Sequence, residues 1–509
     1  MTAENYDVAI VGGGPVGMIL ASLLSNDGLS VALFEREAEF GHRPRARHID
    51  AEAMRVLQEI GIADASEGEM HLLGGLRLVD ADGRTLLEQT ADTTHRGAQG
   101  WIDDYQMFQP LLLKHLAGRL ETAENVELRS NHEVVSLTQE PDHVRVEVYN
   151  RTEATTEEVR ARYVVGCDGA NSWVRREIGA EFDRLGPDHP YLVIDATPLR
   201  EDFELPEPVF SVNVCDPARP HYVSPGSGAV PLRFEFMVMP GEDHDELTSD
   251  ASLHALTKPF LNEGDVRFDR ASVYVFHSLL VDRWRVGRVL LAGDSAHVQP
   301  PFMGQGLCSG FRDASNLAWK LAMVCNGKSD ASLLDSYEAE RSPHARAWID
   351  EANRIGAIVM TTDEDAARVR DERLLAGTLK ELRPITPILG PGLHGDACPP
   401  AGTLSPQPTL PDGRRMDELV GHRFLVVAGE DLLAELPEAL RQALDSSEDI
   451  VVLGADSPGG GELLEHFGTG AVVIRPDRYV LGVASGANEF ERVLHRIPFA
   501  GLKEDVRVA

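Results

Sequence analysis

Three glycines near the amino terminus have the spacing that lets a backbone turn approach a phosphate group. They follow the apolar run DVAIV in the segment GGGPVG. Gly12 permits a tight turn, Gly14 lets the backbone approach a pyrophosphate, and Gly17 lets the next helix pack closely on the strand. Because the amino terminus of that helix would face the negative charge, the pattern predicts a dinucleotide site. The residues predicted to bind are Gly12, Gly14, Pro15, Val16 and Gly17.

A carboxylate and four arginines come directly after the next predicted strand, SVALFE. Glu35 ends that strand and is placed to accept hydrogen bonds from a ribose 2′-hydroxyl group. We expect at least one of the arginines to reach the cofactor phosphates, with a solvated basic loop as the alternative. They are Arg36, Arg43, Arg45 and Arg47, of which Arg36 and Arg45 are the candidates. NAD and FAD share this fingerprint, so these residues do not distinguish between them.

Two further segments place acidic and small residues between a strand and a helix. In ARYVVGCDGANSWVRREIG a buried strand leads into Asp168 and Gly169, and Ser172 begins a helix. An ordinary turn capped by Asp or Ser is the alternative. In VLLAGDSAHVQPPFMGQGL a strand delivers Asp294, and the chain passes through two prolines to a glycine-rich helix start. The positive end of that helix would stabilise negative charge on a bound ligand.

Together the three segments resemble the aromatic-hydroxylase family of flavoprotein monooxygenases, over at least residues 5–350. The resemblance implies that FAD occupies the first site. It also implies that Asp294 binds the ribityl chain, that Pro301 lies near flavin and substrate, and that Arg175 serves the nicotinamide or FAD. Gln109 matches a family glutamine near the flavin, with an ordinary polar helix residue as the alternative. The other cofactor contacts that it implies are Asp168, Gly169, Gly304, Gln305, Gly306 and Leu307.

The activity implied by the resemblance is hydroxylation of an aromatic, phenolic ring. NADH or NADPH reduces FAD, O₂ adds as a flavin C4a-hydroperoxide, and the electron-rich ring attacks its terminal oxygen. No metal is required. The protein is expected to bind a small aromatic substrate, exclude water and offer a base. The alternatives are a polyketide-tailoring hydroxylase of a polycyclic aromatic and, in another class, a flavin-dependent dehydrogenase or reductase without oxygen insertion.

The segment RARHIDAE supplies the candidate base. It resembles the RAxxxDxE pattern of hydroxyphenylpropionate-type hydroxylases. His48 titrates near neutral pH and is expected to take the phenolic proton, while Asp50 orients it or acts alone. The alternative is that Asp50 merely caps the helix that starts at Ala51.

The elements that position these residues form an α/β fold. A Rossmann-like FAD-binding domain is predicted to interleave with a β-sheet substrate domain, which contains segments such as YLVIDATP and LRFEFMVMP. Tyr222 and Arg233 of this sheet are candidate substrate contacts. Arg233 resembles a family arginine close to the flavin ring, and a surface ion pair is the alternative. The helical pattern from Ser329 to about Arg373 predicts one long connecting helix.

After a proline-rich run, alternating strands and helices predict a third unit. It resembles the thioredoxin-like carboxy-terminal domain of phenol hydroxylases and their relatives. Its sequence contains no CxxC pair, which excludes dithiol redox chemistry and leaves a structural or dimer-supporting role. The predicted boundaries are 1–70, 106–182 and 286–375 for the FAD-binding domain, 71–105 and 183–285 for the substrate sheet, 376–412 for a linker, and 413–509 for the thioredoxin-like domain.

Charge and composition exclude other classes of partner. Lys and Arg total 48 against 82 Asp and Glu, and the formal net charge of −34 repels nucleic acid and anionic membranes. The amino-terminal sequence has neither a signal-peptide nor a membrane-span pattern, so a cytoplasmic location is expected. The five cysteines are expected to be buried free thiols rather than disulfides or a metal site. A homodimer is also expected.

Overall fold

The structure is a computed structural model that describes residues 4–40, 46–200, 210–226, 231–262, 264–379, 385–396 and 398–499. Arg43 and Arg45, two of the arginines predicted near the cofactor, lie outside these residues. The strands, in chain order, are β1 (Glu4–Val11), β2 (Val31–Phe34), β3 (His48–Asp50), β4 (His71–Leu72), β5 (Gly75–Val79), β6 (Thr85–Thr90), β7 (Asp104–Gln106), β8 (Val126–Arg129), β9 (His132–Gln139), β10 (Val144–Asn150), β11 (Thr155–Gly166), β12 (Phe182–Arg184), β13 (His189–Pro198), β14 (Phe210–Val214), β15 (His221–Ser224), β16 (Leu232–Met237), β17 (Val266–Phe276), β18 (Leu279–Val281), β19 (Arg285–Val286), β20 (Val289–Leu291), β21 (His297–Val298), β22 (Phe424–Ala428), β23 (Ile450–Gly454), β24 (Ala471–Ile474) and β25 (Val480–Ala484).

Helices alternate with these strands along the chain. In order they are α1 (Pro15–Asn26), α2 (Ala51–Glu59), α3 (Ala63–Glu67), α4 (Gln109–Glu121), α5 (Trp173–Glu177), α6 (His244–Leu247), α7 (Asp250–Thr257), α8 (Gly306–Cys325), α9 (Asp335–Val359), α10 (Glu364–Leu375), α11 (Met416–Val420), α12 (Glu430–Glu435), α13 (Glu438–Ser446), α14 (Gly460–Phe467) and α15 (Ala487–Leu494). Within the described residues, no helix combines the length and the apolar character that crossing a bilayer requires.

The first large sheet contains β1 at its centre. Its order is β19-β20-β11-β1-β2-β8, with β10 and β9 attached beside β11. β1 runs parallel to both β11 and β2, and α1 connects β1 to β2. Val8, Ala9 and Ile10 are fully buried because strands of a parallel sheet are covered on both faces. The predicted Rossmann-like βαβ unit is therefore confirmed.

The second large sheet has the order β17-β13-β16-β15-β14-β5-β6. Its strands pair antiparallel except for β14 with β5, which are parallel. The strands come from two separate stretches of the chain, 75–90 and 189–276. Along the chain, both stretches lie between strands of the first sheet. Leu192, Phe234 and Phe236 form part of a separate core on this sheet. The predicted interleaving of two sheets is confirmed.

The helical region after the third motif is broken into two helices. α9 ends at Val359 and α10 begins at Glu364. Asp363 caps α10, since its Oδ1 accepts a hydrogen bond of 2.8 Å from the Ala366 backbone N–H. The prediction of one long helix is wrong because a capping carboxylate can start a new helix inside a sequence of uniformly helical composition.

The carboxy-terminal domain contains a four-stranded sheet with the order β23-β22-β24-β25. β22 and β23 are parallel, while β24 is antiparallel to both β22 and β25. A βαβ unit is thus followed by a hairpin and then by α15. This connectivity is compatible with the predicted thioredoxin-like domain.

The five cysteines are free thiols with different environments. Cys215 and Cys308 are buried, Cys167 and Cys325 are partly buried, and Cys398 is exposed. The prediction of burial is wrong for Cys398, which lies in a loop, where chain segments usually run over the protein surface.

Buried ion pairs join the carboxy-terminal domain to α8 and α9. Arg475 donates hydrogen bonds of 2.8 Å to both carboxylate oxygens of Glu340, and its Nε donates to Asp477 at 3.0 Å. Lys320 Nζ donates to the same Glu340 at 2.6 Å. Burial alone would raise the pKa of Glu340, but Arg475 and Lys320 hold it far below its usual range. Removing one member would leave an uncompensated charge in the interior.

We expect Arg475→Met to destabilise the protein by about 3–5 kcal/mol, because Glu340 and Asp477 lose their shared cation in a fully buried site. Urea denaturation followed by circular dichroism measures the change. Arg368→Met is the control, since Arg368 is 61% exposed and pairs with carboxylates at the surface. The control should change stability by less than about 0.5 kcal/mol. Equal effects of the two substitutions would contradict the stabilising role of the buried ion pairs around Glu340.

Candidate active site

A cavity of about 1270 Å³ lies between the two large sheets. It extends from the turn after β1 to the inner face of the second sheet, and most of the residues predicted from the sequence line it. These are Gly12, Gly14, Pro15, Val16, Glu35, Arg36, His48, Gln109, Asp168, Gly169, Tyr222, Arg233, Asp294, Pro301, Gly304, Gly306 and Leu307. Gly17, Asp50, Arg175 and Gln305 do not belong to its lining.

The turn after β1 is built so that backbone rather than side chain faces the cavity. Gly12 has a φ of +109°, and a Cβ there would lie 2.4 Å from the Cys167 carbonyl oxygen. A Cβ on Gly17 would lie 2.1 Å from the Gly12 carbonyl oxygen, so α1 packs directly against the turn. A Cβ on Gly14 would meet nothing within 4 Å. The turn therefore leaves open space at the amino terminus of α1, which suits a pyrophosphate.

Glu35 is held at the end of β2 by backbone N–H groups. Its two carboxylate oxygens accept hydrogen bonds from Gly13 N at 2.8 Å and from Glu37 N at 2.9 Å. The carboxylate lines the cavity in a fixed orientation. It is therefore placed to accept a hydrogen bond from a ribose hydroxyl group.

Asp168 caps α5 and also links the second motif to the third. Its Oδ2 accepts hydrogen bonds from Trp173 N at 2.7 Å and Val174 N at 3.0 Å. Ser295 Oγ donates to Asp168 Oδ1 at 3.1 Å and accepts from Gly169 N at the same distance. The Asp168 side chain therefore caps a helix, which is the alternative interpretation of this segment. Asp168 and Gly169 also line the cavity.

Arg175 contacts the protein itself rather than the cavity. Its Nη1 donates to the Ala180 carbonyl at 3.1 Å, and its guanidinium lies 4.2 Å from the centre of the Phe182 ring. The neighbouring Arg176 does line the cavity and is exposed. The predicted contact of Arg175 with the nicotinamide stays a prediction.

The third motif places the start of α8 at the cavity. Gly306 and Leu307, the first residues of α8, line it, and no acidic residue lies in the first turn. A Cβ on Gly306 would meet nothing within 4 Å, so the space beside the first turn of α8 is open. The side chain of Gln305 instead accepts a hydrogen bond of 2.9 Å from Arg312. The amino terminus of α8 is thus suited to negative charge on a ligand.

Gln109 begins α4 and holds the segment that precedes β3. Its Oε1 accepts a hydrogen bond of 3.1 Å from the Ala46 backbone N–H. The side chain is buried and lines the cavity. Gln109 therefore fixes the backbone from which the next two side chains, Arg47 and His48, project.

His48 lies in the cavity between a carboxylate and a carbonyl group. Its Nε2 is 2.6 Å from Asp104 Oδ1, and its Nδ1 is 3.4 Å from the Gly304 carbonyl oxygen. Burial alone would lower the pKa of His48, but hydrogen bonds and charge interactions with Asp104 and Cys308 raise it well above its ordinary value. A Cβ on Gly304 would come within 2.8 Å of His48, so this side chain packs directly against Gly304, just before α8.

Asp50 does not contact His48 and instead serves as a helix cap and ion-pair partner. Its Oδ1 accepts a hydrogen bond of 2.8 Å from Ala53 N, and its Oδ2 pairs with Arg312. Burial alone would raise the pKa of Asp50, but the charges of Arg312 and His48 lower it. The prediction that Asp50 orients His48 is corrected, because β3 pairs with β7 and brings Asp104 to the imidazole instead.

Charged residues of the second sheet form one wall of the cavity. Asp195 on β13 lies directly opposite Arg233 on β16 and Arg270 on β17. Arg233 binds both Asp195 oxygens, at 2.8 and 3.1 Å, so its ion pair is buried and not at the surface. Tyr222 donates a hydrogen bond of 2.9 Å to Ser211.

The sequence pattern missed Asp104, Asp195, Arg270 and Glu235, all of which line or support this cavity. The available signal was an alternation of charged and apolar residues in the segments VIDATP and RFEFM. That alternation identifies charged residues on one sheet face, but only strand register reveals which charges meet.

Comparisons with known proteins agree with this geometry. A family model described as an FAD binding domain matches residues 5–352. The chain is 36% identical over 506 residues to a probable NADH-specific resorcinol 4-hydroxylase of Rhodococcus jostii (strain RHA1), spanning 96% of this chain and 93% of that protein. It is 32% identical over 536 residues to a 3-(3-hydroxy-phenyl)propionate/3-hydroxycinnamic acid hydroxylase of Mycolicibacterium smegmatis, with the same two coverages, 96% and 93%.

Solved structures share the fold over nearly the whole chain. The flavin-dependent monooxygenase PieE, in complex with FAD and substrate, has a TM-score of 0.81 at 24% identity and covers 97% of this chain and 99% of its own. The OxyS anhydrotetracycline hydroxylase from Streptomyces rimosus has a TM-score of 0.75 at 26% identity with the same coverages, 97% and 99%. The predicted fold class and the predicted use of FAD with a reduced nicotinamide are confirmed. The chain therefore belongs to the FAD-binding-domain family of flavin-dependent aromatic monooxygenases.

Proposed function

We propose that this monooxygenase hydroxylates a single-ring phenol and that His48, with Asp104, controls the phenolic proton. The position of His48 carries the proposal, since its ring lines the cavity beside Gly304 and is held from the other side by Asp104. An aromatic ring attacks an oxygen atom well only when a hydroxyl or phenolate group donates electrons to it. A residue that removes the phenolic proton therefore controls how readily the ring reacts.

The residues that would hold FAD lie at three places in the cavity. The turn after β1 and Glu35 suit the pyrophosphate and ribose, Asp294 suits the ribityl chain, and the start of α8 suits the flavin edge that becomes negative. When bound, FAD accepts a hydride from NADH or NADPH and activates O₂ for transfer of one oxygen atom to the ring. The further proposed contacts are Arg36, Arg45, Gln109, Asp168, Gly169, Pro301, Gln305 and Leu307.

His48 can exchange a proton with the substrate through Nδ1. The distance of 3.4 Å from Nδ1 to the Gly304 carbonyl is long for a hydrogen bond, so a substrate hydroxyl group can replace that contact. Neutral His48 would take the phenolic proton and become an imidazolium. Asp104 stabilises this imidazolium through Nε2, and the imidazolium in turn stabilises the electron-rich phenolate beside it.

Aromatic side chains form the part of the cavity that would orient the ring and exclude water. Tyr191 stacks on Phe276 with ring centres 5.0 Å apart, and the edge of Phe302 packs against both. All three line the cavity. Flat apolar surfaces of this kind hold an aromatic ring in a defined plane and keep water from the reacting atoms.

The relatives with the higher identity favour a single-ring substrate and NADH. Their names specify resorcinol and 3-(3-hydroxy-phenyl)propionate, at 36% and 32% identity, whereas OxyS, named for anhydrotetracycline, is at 26%. Substrate-stimulated oxidation of NADH and of NADPH, with product and peroxide analysis across single-ring and polycyclic phenols, tests the proposal. Turnover of polycyclic phenols alone would favour a polyketide-tailoring role, and reduced flavin without any hydroxylated product would favour a dehydrogenase or reductase.

The predicted domain boundaries, the homodimer and the cytoplasmic location remain parts of this proposal. The interleaved sheets support the assignment of 71–105 and 183–285 to a substrate domain. A cytoplasmic enzyme would have direct access to reduced nicotinamide. Sedimentation analysis of the purified holoenzyme tests the homodimer.

We expect Gly14→Val to abolish most FAD binding while the protein stays folded. A Cβ at this position meets no protein atom within 4 Å, so the new side chain enters the open space proposed for the pyrophosphate. The flavin-to-protein absorbance ratio after purification, together with circular dichroism, measures the effect. Gly118→Val is the matched control. Gly118 is an exposed residue of α4, and a Cβ there would also meet nothing within 4 Å. A normal flavin content in the Gly14 variant would contradict the proposed cofactor site.

We expect Asp104→Asn to shift the rising part of the pH profile of kcat for hydroxylation to lower pH, by about 1 unit. Asp104 raises the pKa of His48, and below that pKa His48 is already protonated and cannot take the phenolic proton. Rate therefore rises with pH through the raised pKa, and removing Asp104 lowers that pKa. Stopped-flow and steady-state measurements of product give the profile.

Two further variants complete this test. His48→Gln should lower kcat for hydroxylation by about 10²–10⁴-fold, the usual contribution of general acid–base catalysis. Asp103→Asn removes a neighbouring carboxylate that makes no hydrogen bond to His48, and it should leave the pH profile in place. A profile that does not move in Asp104→Asn would exclude the proposed pair.

A further inference from the structure

Arg47 has hydrogen-bonding groups inside the cavity that the protein does not satisfy. Its Nη2 donates to the Pro231 carbonyl oxygen at 2.5 Å and lies 3.5 Å from that of Pro225. Its Nε and Nη1 are buried, and among the described residues neither has a hydrogen-bond partner. The side chain is 11% exposed and lines the cavity. Buried guanidinium N–H groups without acceptors are costly, so this arrangement is suited to an acceptor supplied by a ligand.

The nearest carboxylate is already occupied by two other arginines. Arg233 binds both oxygens of Asp195, and Arg270 Nη2 lies 2.8 Å from Asp195 Oδ2. Arg47 Nη1 remains 3.8 Å from Asp195 Oδ1, which is too far for a hydrogen bond. Asp195 therefore makes no hydrogen bond to Arg47 in this structure.

The charges at this wall leave an excess of positive charge. Three arginines surround the carboxylate of Asp195, namely Arg47, Arg233 and Arg270. Burial alone would raise the pKa of Asp195, but these arginines lower it. Burial raises the pKa of the second carboxylate, Glu235, and even with both carboxylates ionised the three arginines outnumber them. Burial and the charge of Arg233 lower the pKa of Arg47 to about 9, so it is still protonated at neutral pH. The excess is local, since the whole chain carries a formal net charge of −34.

We propose that Arg47 binds a carboxylate group carried by the phenolic substrate, with Arg233 and Arg270 supporting the positive potential. This inference rests on the proposed function and specifies its substrate class as phenolic acids. Arg47 and His48 are adjacent in the chain and both line the cavity, so one molecule can place its hydroxyl at His48 and its carboxylate at Arg47. A guanidinium offers a carboxylate two parallel N–H groups, and each unsatisfied group of Arg47, Nε or Nη1, can form such a pair with Nη2.

The experiment compares two phenolic acids with neutral counterparts, one an amide of similar shape and one lacking the carboxyl group. The purified holoenzyme is titrated with 3-(3-hydroxyphenyl)propionate and with its primary amide, and likewise with 2,4-dihydroxybenzoate and resorcinol, by following the absorbance of bound FAD. The proteins are the wild type, Arg47→Gln, Arg47→Lys and the control Arg267→Gln. Arg267 lies on the same sheet but is 67% exposed and pairs with Asp269.

We expect the wild type to bind at least one of the acids at least tenfold more tightly than its neutral partner. Arg47→Gln should raise the Kd of that acid by about 10–100-fold, the range for losing hydrogen bonds to a charged group, and the Kd of the neutral partner by less than about threefold. Arg47→Lys keeps the charge but not the planar pair of donors, so its Kd for the acid should lie between the two. Arg267→Gln should bind both ligands as the wild type does.

Three results would overturn the inference. One is that Arg47→Gln loses as much affinity for the neutral partner as for the acid. If Arg47→Gln does not fold, the same comparison is made with Arg47→Lys. Another is loss of FAD from the Arg47 variants, which would assign the arginine to the cofactor phosphates. The third is a wild type without preference for acids. Hydroxylation of neutral phenols alone would refute this inference and leave the proposed function intact, whereas absence of product from every phenol would refute the proposed function.

Discussion

A chain with a formal net charge of −34 must bind an anionic dinucleotide, and this constraint governs the architecture of the site. The positive potential comes from backbone groups, because a helix amino terminus carries the equivalent of about half an elementary charge. The starts of α1 and α8 both face the cavity. Gly12 and Gly17 are required for this arrangement, since side chains at either position would collide with carbonyl oxygens of the turn.

Helix α8 connects the cavity with the rest of the molecule. Its first residues line the cavity, while Arg312 in its second turn pairs with both Asp50 and Glu52. Further along, Asn316 and Lys320 join the buried network around Glu340. The carboxy-terminal domain, through Arg475 and Asp477, thus contacts the helix that begins at the cavity and the helix that follows it.

The two sides of the cavity differ in the groups that carry their charge. On the proposed cofactor side, backbone N–H groups at the starts of α1 and α8 offer positive potential, and Glu35 and Arg36 line the same region. On the substrate side, ionised side chains are buried against each other around Asp195, and His48 is held by Asp104. The proposed proton transfer at His48 depends on pH, whereas the backbone potential does not.

The sequence by itself predicted the dinucleotide-binding turn after β1, because the chemistry of that turn lies in the backbone of one continuous segment. Its resemblance to the aromatic hydroxylases implied the cofactor, the fold class and the reaction. It could not determine the partners of the ionisable side chains. Asp104 is 56 residues from His48 and reaches it only through the pairing of β3 with β7. Asp195 meets Arg233 and Arg270 only through the register of three strands. Such partners are decided by tertiary structure, since a shift of one residue in register would turn each side chain to the other face.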